Sequence, residues 1–394
     1  MIELCVAMGS FVPFIFVGAL VIGFALWTNS RHQEAMKKVA ADNGLRFHEG
    51  GVFGSNCKVE GEIGSARVVI DTYTSGSGKN KSTYTRVRVR DLNVDPGMSI
   101  GAEGVFSFIG KAFKGKDYEV GDSAFDNKVL VRADKPPEVC AVLDAPTRQA
   151  VFRAVDQGWG LDGGEWKVRK SGRISSAQRL QLLLDQGVAA TEATKRDGQS
   201  ILQKLQRIYT TDPQPRVRAN ALKERLNVKP PIADAELHAL ARDPSWLGLV
   251  AARALGTDEA VEHLHVAMKE GDPPGVKMSA AEMLADLDDP RVDRAAVEQV
   301  FTYAVEHEPW IDRGIRGLEK VGSVAAVPAL LEHADGFLPS ARKTAAKKAV
   351  RAIQARVAGA GRGQLAIAAA QGGELSEAEV RHRGALSQAR QTER

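Results

Sequence analysis

Cysteine is scarce: the 394-residue chain has three, Cys5, Cys57 and Cys140. Three thiols without a CxxC spacing exclude a disulfide-stapled scaffold and a cysteine-held metal centre. Aromatic residues make up only 6%. The 44% hydrophobic content therefore comes mainly from Ala, Leu and Val, a mixture that favours packed helices. Neither sign of charge dominates, since 53 basic residues face 49 acidic ones and leave a net +4. That balance excludes a wholly disordered chain and is mild for a nucleic-acid binder. Histidine supplies no metal pair: His263 and His265 stand two apart on an expected helix and point to different faces, and His307 lies between two glutamates. No metal or cofactor is expected. The length exceeds what one compact core holds and predicts several folded units.

One long apolar run is present. Residues 4–27, LCVAMGSFVPFIFVGALVIGFALW, carry no charge and as a helix would cover about 36 Å, enough to span a hydrocarbon core. A basic leader and a small-x-small cleavage site are both missing, so the run predicts a retained transmembrane anchor helix. Arg31, Lys37 and Lys38 follow it and no basic residue precedes it. The positive-inside rule then predicts a single-pass protein of the cytoplasmic membrane with its C-terminal body in the cytoplasm.

Residues 30–192 predict an α+β cytoplasmic domain. A helix is expected from Ser30, as N-cap, to Asn43, with Gly44 closing it. Strands are expected over 58–63, 66–74 and 83–90; in the last, Val87 and Val89 alternate with Arg86, Arg88 and Arg90, the pattern of one buried and one solvated face. Residues 75–82, SGSGKNKS, lack the GxxxxGK[ST]-helix order of a phosphate loop and read as a hairpin turn. Residues 97–101, GMSIG, match the G-x-S-x-G spacing, but no strand-to-helix turn surrounds Ser99. Residues 116–126, KDYEVGDSAFD, gather Asp117, Glu119, Asp122 and Asp126 without calcium-loop spacing; Asp122 is expected to cap one helical turn before a strand over 128–132. Helices over 136–143 and 147–157, a hairpin turning at Asp162-Gly163-Gly164, and a helix over 175–194 complete the unit. This order, with its GD-x-x-FD motif, resembles the cytosolic part of uncharacterised bacterial membrane-anchored proteins, a resemblance that implies no chemistry.

Beyond Gly198 strand signals vanish and Ala-rich segments recur at about thirty residues, one helical hairpin each. They are 216–222, 250–256, 279–284, 313–318 and 341–353, punctuated by Asp212-Pro213, Asp243-Pro244, Asp272-Pro273, Asp289-Pro290, Glu308-Pro309 and Leu338-Pro339. Residues 322–331, GSVAAVPALL, are the most characteristic stretch. The region 198–357 resembles HEAT-like repeats, including the short form of phycobilisome-lyase-type proteins. The resemblance implies an all-α solenoid with an extended groove for a protein partner.

Between Asp335 and Glu374 no acidic residue occurs. Arg342, Lys343, Lys347, Lys348, Arg351 and Arg356 fall in this gap; they read either as the solvated capping face of the last solenoid helix or as candidate contacts to an anionic surface, lipid being the suited partner of a tethered body. Nucleic acid is disfavoured because no aromatic residue interleaves with these cations. Residues 358–394 form a low-complexity tail with an echo at Gly363-Gln364-Leu365, Gly373-Glu374-Leu375 and Gly384-Ala385-Leu386. The whole chain thus reads as a multidomain protein: anchor, α+β domain, HEAT-like solenoid and tail. The expected function is a non-enzymatic, membrane-tethered scaffold for protein–protein interaction. A lyase-like or hydrolytic enzyme with its site near Ser99 or Asp122, and a nucleic-acid-binding solenoid, are the alternatives.

Overall fold

A computed structural model describes residues 23–24, 26–50, 57–76, 81–102, 116–335 and 340–356. The chain forms two compact units that meet in sequence between Lys229 and Pro230. The expected membrane span lies almost wholly outside the described residues, as does the tail; among the described residues no helix is long and apolar enough to cross a membrane.

The first unit is built on a nine-stranded antiparallel sheet: β1 (Arg46–His48), β2 (Lys58–Ile63), β3 (Ala66–Ser75), β4 (Ser82–Arg90), β5 (Met98–Gly101), β6 (Lys116–Asp117), β7 (Leu130–Ala133), β8 (Gly160–Asp162) and β9 (Glu165–Ser171). Their order is β1-β2-β3-β4-β9-β8-β5-β7-β6. The expected alternation holds, with Val87 and Val89 buried. Strands β3 and β4 pair out to Ser75–Ser82; the tip between them, 77–80, lies outside the described residues. The β8–β9 turn uses Gly163 and Gly164 at φ +59° and +74°, the positive pair that a two-residue hairpin needs. The strand expected over 128–132 begins later, at Leu130, because Asn127 and Lys128 still close the preceding helical turn.

A helix over 26–42, α1, covers the sheet. It buries His32, Ala35, Met36, Val39 and Ala40, the spacing of one helical stripe. Ser30 is not its N-cap, because the chain is already helical upstream and no breaker interrupts it. His32 is fully buried, with Nδ1 2.7 Å from the Ile174 carbonyl and Nε2 2.8 Å from Thr72 Oγ1. It thereby ties α1 to β3 and to the segment after β9. Helix α5 (Ala177–Thr194), capped by Ser176, packs on β4 and β9. There Trp166 Nε1 donates to Thr194 Oγ1 at 3.1 Å, and α5 approaches the Trp159 ring so closely that a Cβ on Gly187 would lie 2.3 Å from it.

The GD-x-x-FD motif has a structural task. Asp122 caps α2 (Ser123–Asp126), Asp126 accepts the Val120 and Gly121 N–H groups at 3.0 and 2.8 Å, and Phe125 is buried. Asp122 also accepts from Arg148 Nε at 3.2 Å. Arg148 belongs to α4 (Ala145–Asp156), which follows α3 (Pro136–Val142). Its other two nitrogens fork onto Asp212 at 2.9 and 3.0 Å. Asp212 joins α6 (Ile201–Thr211) to α7 (Pro215–Leu226). Gly121, at φ +100°, approaches the Arg216 backbone, and Asn220 Nδ2 donates to the Glu119 and Val120 carbonyls. The sequence reading opens the repeat region at 198; in the structure the hairpin α6–α7 packs on α3 and belongs to the first unit.

The second unit is helical throughout its described residues. Four antiparallel hairpins follow one another: α8 (Asp234–Ala241) with α9 (Trp246–Leu255), α10 (Thr257–Glu270) with α11 (Pro274–Ala285), α12 (Arg294–Val305) with α13 (Ile311–Val321), and α14 (Val327–Ala334) with α15 (Ala341–Arg356). The second helices α9, α11, α13 and α15 stack on one another. Each carries small, buried positions: Ala251 and Ala252, Ala280 and Ala281, Gly314 and Gly317, Ala346 and Ala349; Gly314 and Gly317 face Val305 and Phe301 of α12, inside their own hairpin. The small positions lie in the segments whose recurrence marks the repeat, and small residues let helix axes approach. At Gly317 a Cβ would come within 2.3 Å of the buried Phe301 ring.

Two outcomes test this account of the first unit. Arg148→Met leaves the buried Asp212 and the half-buried Asp122 without their cation and should cost about 3–5 kcal/mol by denaturant unfolding; a loss below about 1 kcal/mol means the fork is dispensable. Burial lowers the pKa of His32, with Arg173 adding to the effect. The unfolded chain therefore takes up a proton first, near pH 6.5. Stability present above that pH should fall as the pH drops through it, and His32→Gln should remove this component of the slope in melts between pH 7 and 5.

Candidate functional site

The second unit carries an open apolar cavity of about 500 Å³ between α10, α11 and α12 and the start of α13. Met268, Met278, Val300, Tyr303 and Trp310 contribute apolar wall, and His265, Lys269, Lys277, Asp293 and Gln299 are the polar lining. The walls follow from the repeat. Small residues in the stacked second helices bring the hairpins close, and the longer side chains of α10 and α12 are left to border the gap.

Each end of the cavity is held. At one end Trp310 packs over Gly275, the second residue of α11, where an added Cβ would meet both Trp310 and Trp246 at 3.1 Å. Glycine is what admits two indoles above one helix start. Arg313 stands 5.3 Å from the Trp310 ring centroid and forks onto Glu282 at 2.7 and 2.6 Å. At the other end His265 Nε2 lies 3.3 Å from both the Arg291 carbonyl and the Asp293 N–H, so either tautomer finds a partner. Asp293 is the N-cap of α12 and accepts from the Ala296 N–H at 3.0 Å. Arg291 grips Asp289 through side chain and backbone and holds that carboxyl down to about 2.

Tyr303 forms a ridge. It is 62% exposed, yet its ring stacks on His307 with centroids 3.9 Å apart, and His307 Nδ1 is anchored 2.7 Å from the Tyr303 carbonyl. An exposed aromatic ring held in place is the arrangement of a binding anchor.

The six cations of the acid-free block fall into separate roles. Arg342 pairs with Asp312 and Glu308 at 2.9 and 3.0 Å, and Lys348 with Glu319 at 2.9 Å. Arg356 donates to the Leu318, Glu319 and Gly322 carbonyls at the C-terminus of α13. All three reach back to the preceding hairpin, as Arg313 does to Glu282 and Lys320 to Asp286. Helix α15 thus borrows its acids from its neighbour. Lys347 and Arg351 are exposed and, with Lys343, mark one stripe at four-residue spacing.

The residues weighed for catalysis lie elsewhere. Ser99 is buried in β5 and its hydroxyl faces Asp162 Oδ1 at 3.4 Å. Asp122 is engaged by Phe125 N–H and Arg148. Cys140 is buried, and burial pushes its thiol up to about 12, which keeps it from acting as a thiolate. His263 turns to His238, with ring nitrogens 3.4 Å apart, and burial followed by His238 and Arg242 lowers its pKa; His265 faces the α12 entry. No group of three metal-capable side chains occurs among the described residues.

No family model matches the chain, and no curated protein or solved structure was found similar to it. What the structure itself shows of the C-terminal half is a helical repeat.

Sequence reasoning placed a groove on the solenoid without naming its lining. The signal that could have found it is the unusual bulk at the starts of the second helices, Trp246 and Trp310, in a region rich in Ala and Leu. Replacing Gly275 by Leu should force both indoles apart. The expected result is a shifted tryptophan emission and a lowered melting temperature, whereas unchanged emission would mean the rings do not converge there.

Proposed function

We propose that the protein is a membrane-tethered scaffold whose HEAT-like array binds a protein partner through the cavity between α10 and α13. The observation that carries this reading is the character of the cavity: apolar walls, an exposed and braced tyrosine, and few charges. Grooves of that kind suit protein segments, whereas a nucleic-acid groove needs a continuous basic lining. The enzyme reading draws less support, since Ser99 and Asp122 are both engaged in holding the sheet unit together.

Tethering through residues 4–27 is supported by the exposed start of α1. Phe24, Leu26 and Trp27 are 65%, 44% and 55% exposed, and the Arg31 guanidinium sits 5.1 Å over the Trp27 ring. Apolar and aromatic residues followed by a cation are the pattern of a membrane–water boundary. In this reading the body is cytoplasmic, and Lys343, Lys347 and Arg351 offer an additional contact to anionic lipid.

A photocrosslinker in place of Gln299, in membranes from cells making the full chain, should capture one recurrent protein. Tyr303→Asp should abolish that capture with the fold intact, because Tyr303 buries little of itself. Capture from position 299 that is unaffected by Tyr303→Asp removes the groove as the binding element.

A further inference from the structure

We infer that the occupant of this groove is an amphipathic α-helix with an acidic flank, a step that rests on the groove reading above. Three observations lead to it. First, Tyr303 stands 62% exposed beside the cavity, so the site is a trough rather than an enclosure. A small molecule in a dedicated pocket is buried over most of its surface; a trough of about 500 Å³ takes the side chains of a segment whose remainder stays outside.

Second, the walls are helix faces. Their backbone N–H and C=O groups are spent within α10, α11 and α12, and no strand edge borders the cavity. An extended peptide laid here would cover its own amide groups without finding ladder partners. A helix brings its hydrogen bonds with it and presents apolar side chains at i, i+3, i+4 and i+7, the arrangement of helix-in-groove recognition.

Third, the charges are one-sided. Lys269 and Lys277 both line the cavity, and neither has a carboxylate partner among the described residues. Asp293, the carboxylate of the lining, is committed as the N-cap of α12. His265 is occupied at the same end. The unspent charge at the rim is therefore positive, and it complements glutamate or aspartate beside the apolar stripe of the incoming helix. Because Lys277 is half-buried and Lys269 exposed, their charges lie where a docked helix would rest its polar edge.

The test uses the full chain in detergent micelles and three labelled peptides of about sixteen residues, roughly four helical turns. One has Leu at i, i+3, i+4 and i+7 with Glu beside the stripe, the second replaces Glu by Lys, and the third keeps the composition of the first with two central prolines that forbid a helix. Fluorescence anisotropy should show the first binding at least about tenfold more tightly than either other. Lys269→Glu/Lys277→Glu should invert the order of the first two, and Tyr303→Ala should weaken the preferred peptide. Equal affinity of the Glu and Lys peptides, tighter binding of the proline peptide, or no binding by any of them overturns the inference. The groove reading survives those results if photocapture from position 299 still depends on Tyr303, so the two failures are separable.

Discussion

One buried cation ties the α2, α4 and α6–α7 segments of the sheet unit together. Arg148 is 4% exposed, and its guanidinium is divided between Asp122, Asp212 and the Leu143 carbonyl. A charge so placed is tolerable only when every donor is matched. Its partners come from three places in the chain: the short α2 cap, the turn before α4 and the joint between α6 and α7. Meeting that one requirement brings β6–β7, α3–α4 and the α6–α7 hairpin into register. Arg207 on α6 repeats the tie from the outside by donating to Asp144, the N-cap of α4, at 3.0 Å.

The helical unit depends on a different economy. Its second helices carry buried Ala and Gly where other cores use Leu, and small residues let helix axes approach. Charge pairs reaching back one hairpin, from Arg313, Lys320, Arg342 and Lys348, run along the same stack. Being partly exposed, each contributes at most about 1 kcal/mol; their common direction sets register between repeats as much as stability. The groove is a by-product of this packing, bordered by the long side chains that the close seam leaves over.

Several features were legible because their cause is local. The β8–β9 turn follows from two consecutive glycines, the strand pattern of β4 from alternating Val and Arg, and the caps of α2 and α5 from Asp122 and Ser176. Strands β1 and β5 were not legible: three or four residues carry no period, and pairing with distant strands alone makes them extended. The α6–α7 hairpin was assigned to the repeats because its Ala-rich segment has the same composition as theirs. Nothing local distinguishes Asp212 as a partner of Arg148, sixty-four residues earlier. The acid-free block misled in a similar way, since Arg342 and Lys348 look unpaired along the chain and find their carboxylates on α13 and its approach.

By itself the sequence determined element types, the turns between them and the repeat that stacks the C-terminal helices, because propensity, capping and hydrophobic period act within a few residues. Only the tertiary structure decided which unit owned the hairpin after Gly198, which cations were spent and which remained exposed, and where a groove opened. Those outcomes depend on side chains thirty or more residues apart meeting at van der Waals distance. The scarcity of aromatic residues gains its meaning there as well: among the described residues of the array, Trp246 and Trp310 stand over Gly275 and Phe301 against Gly317, where glycine makes room for them.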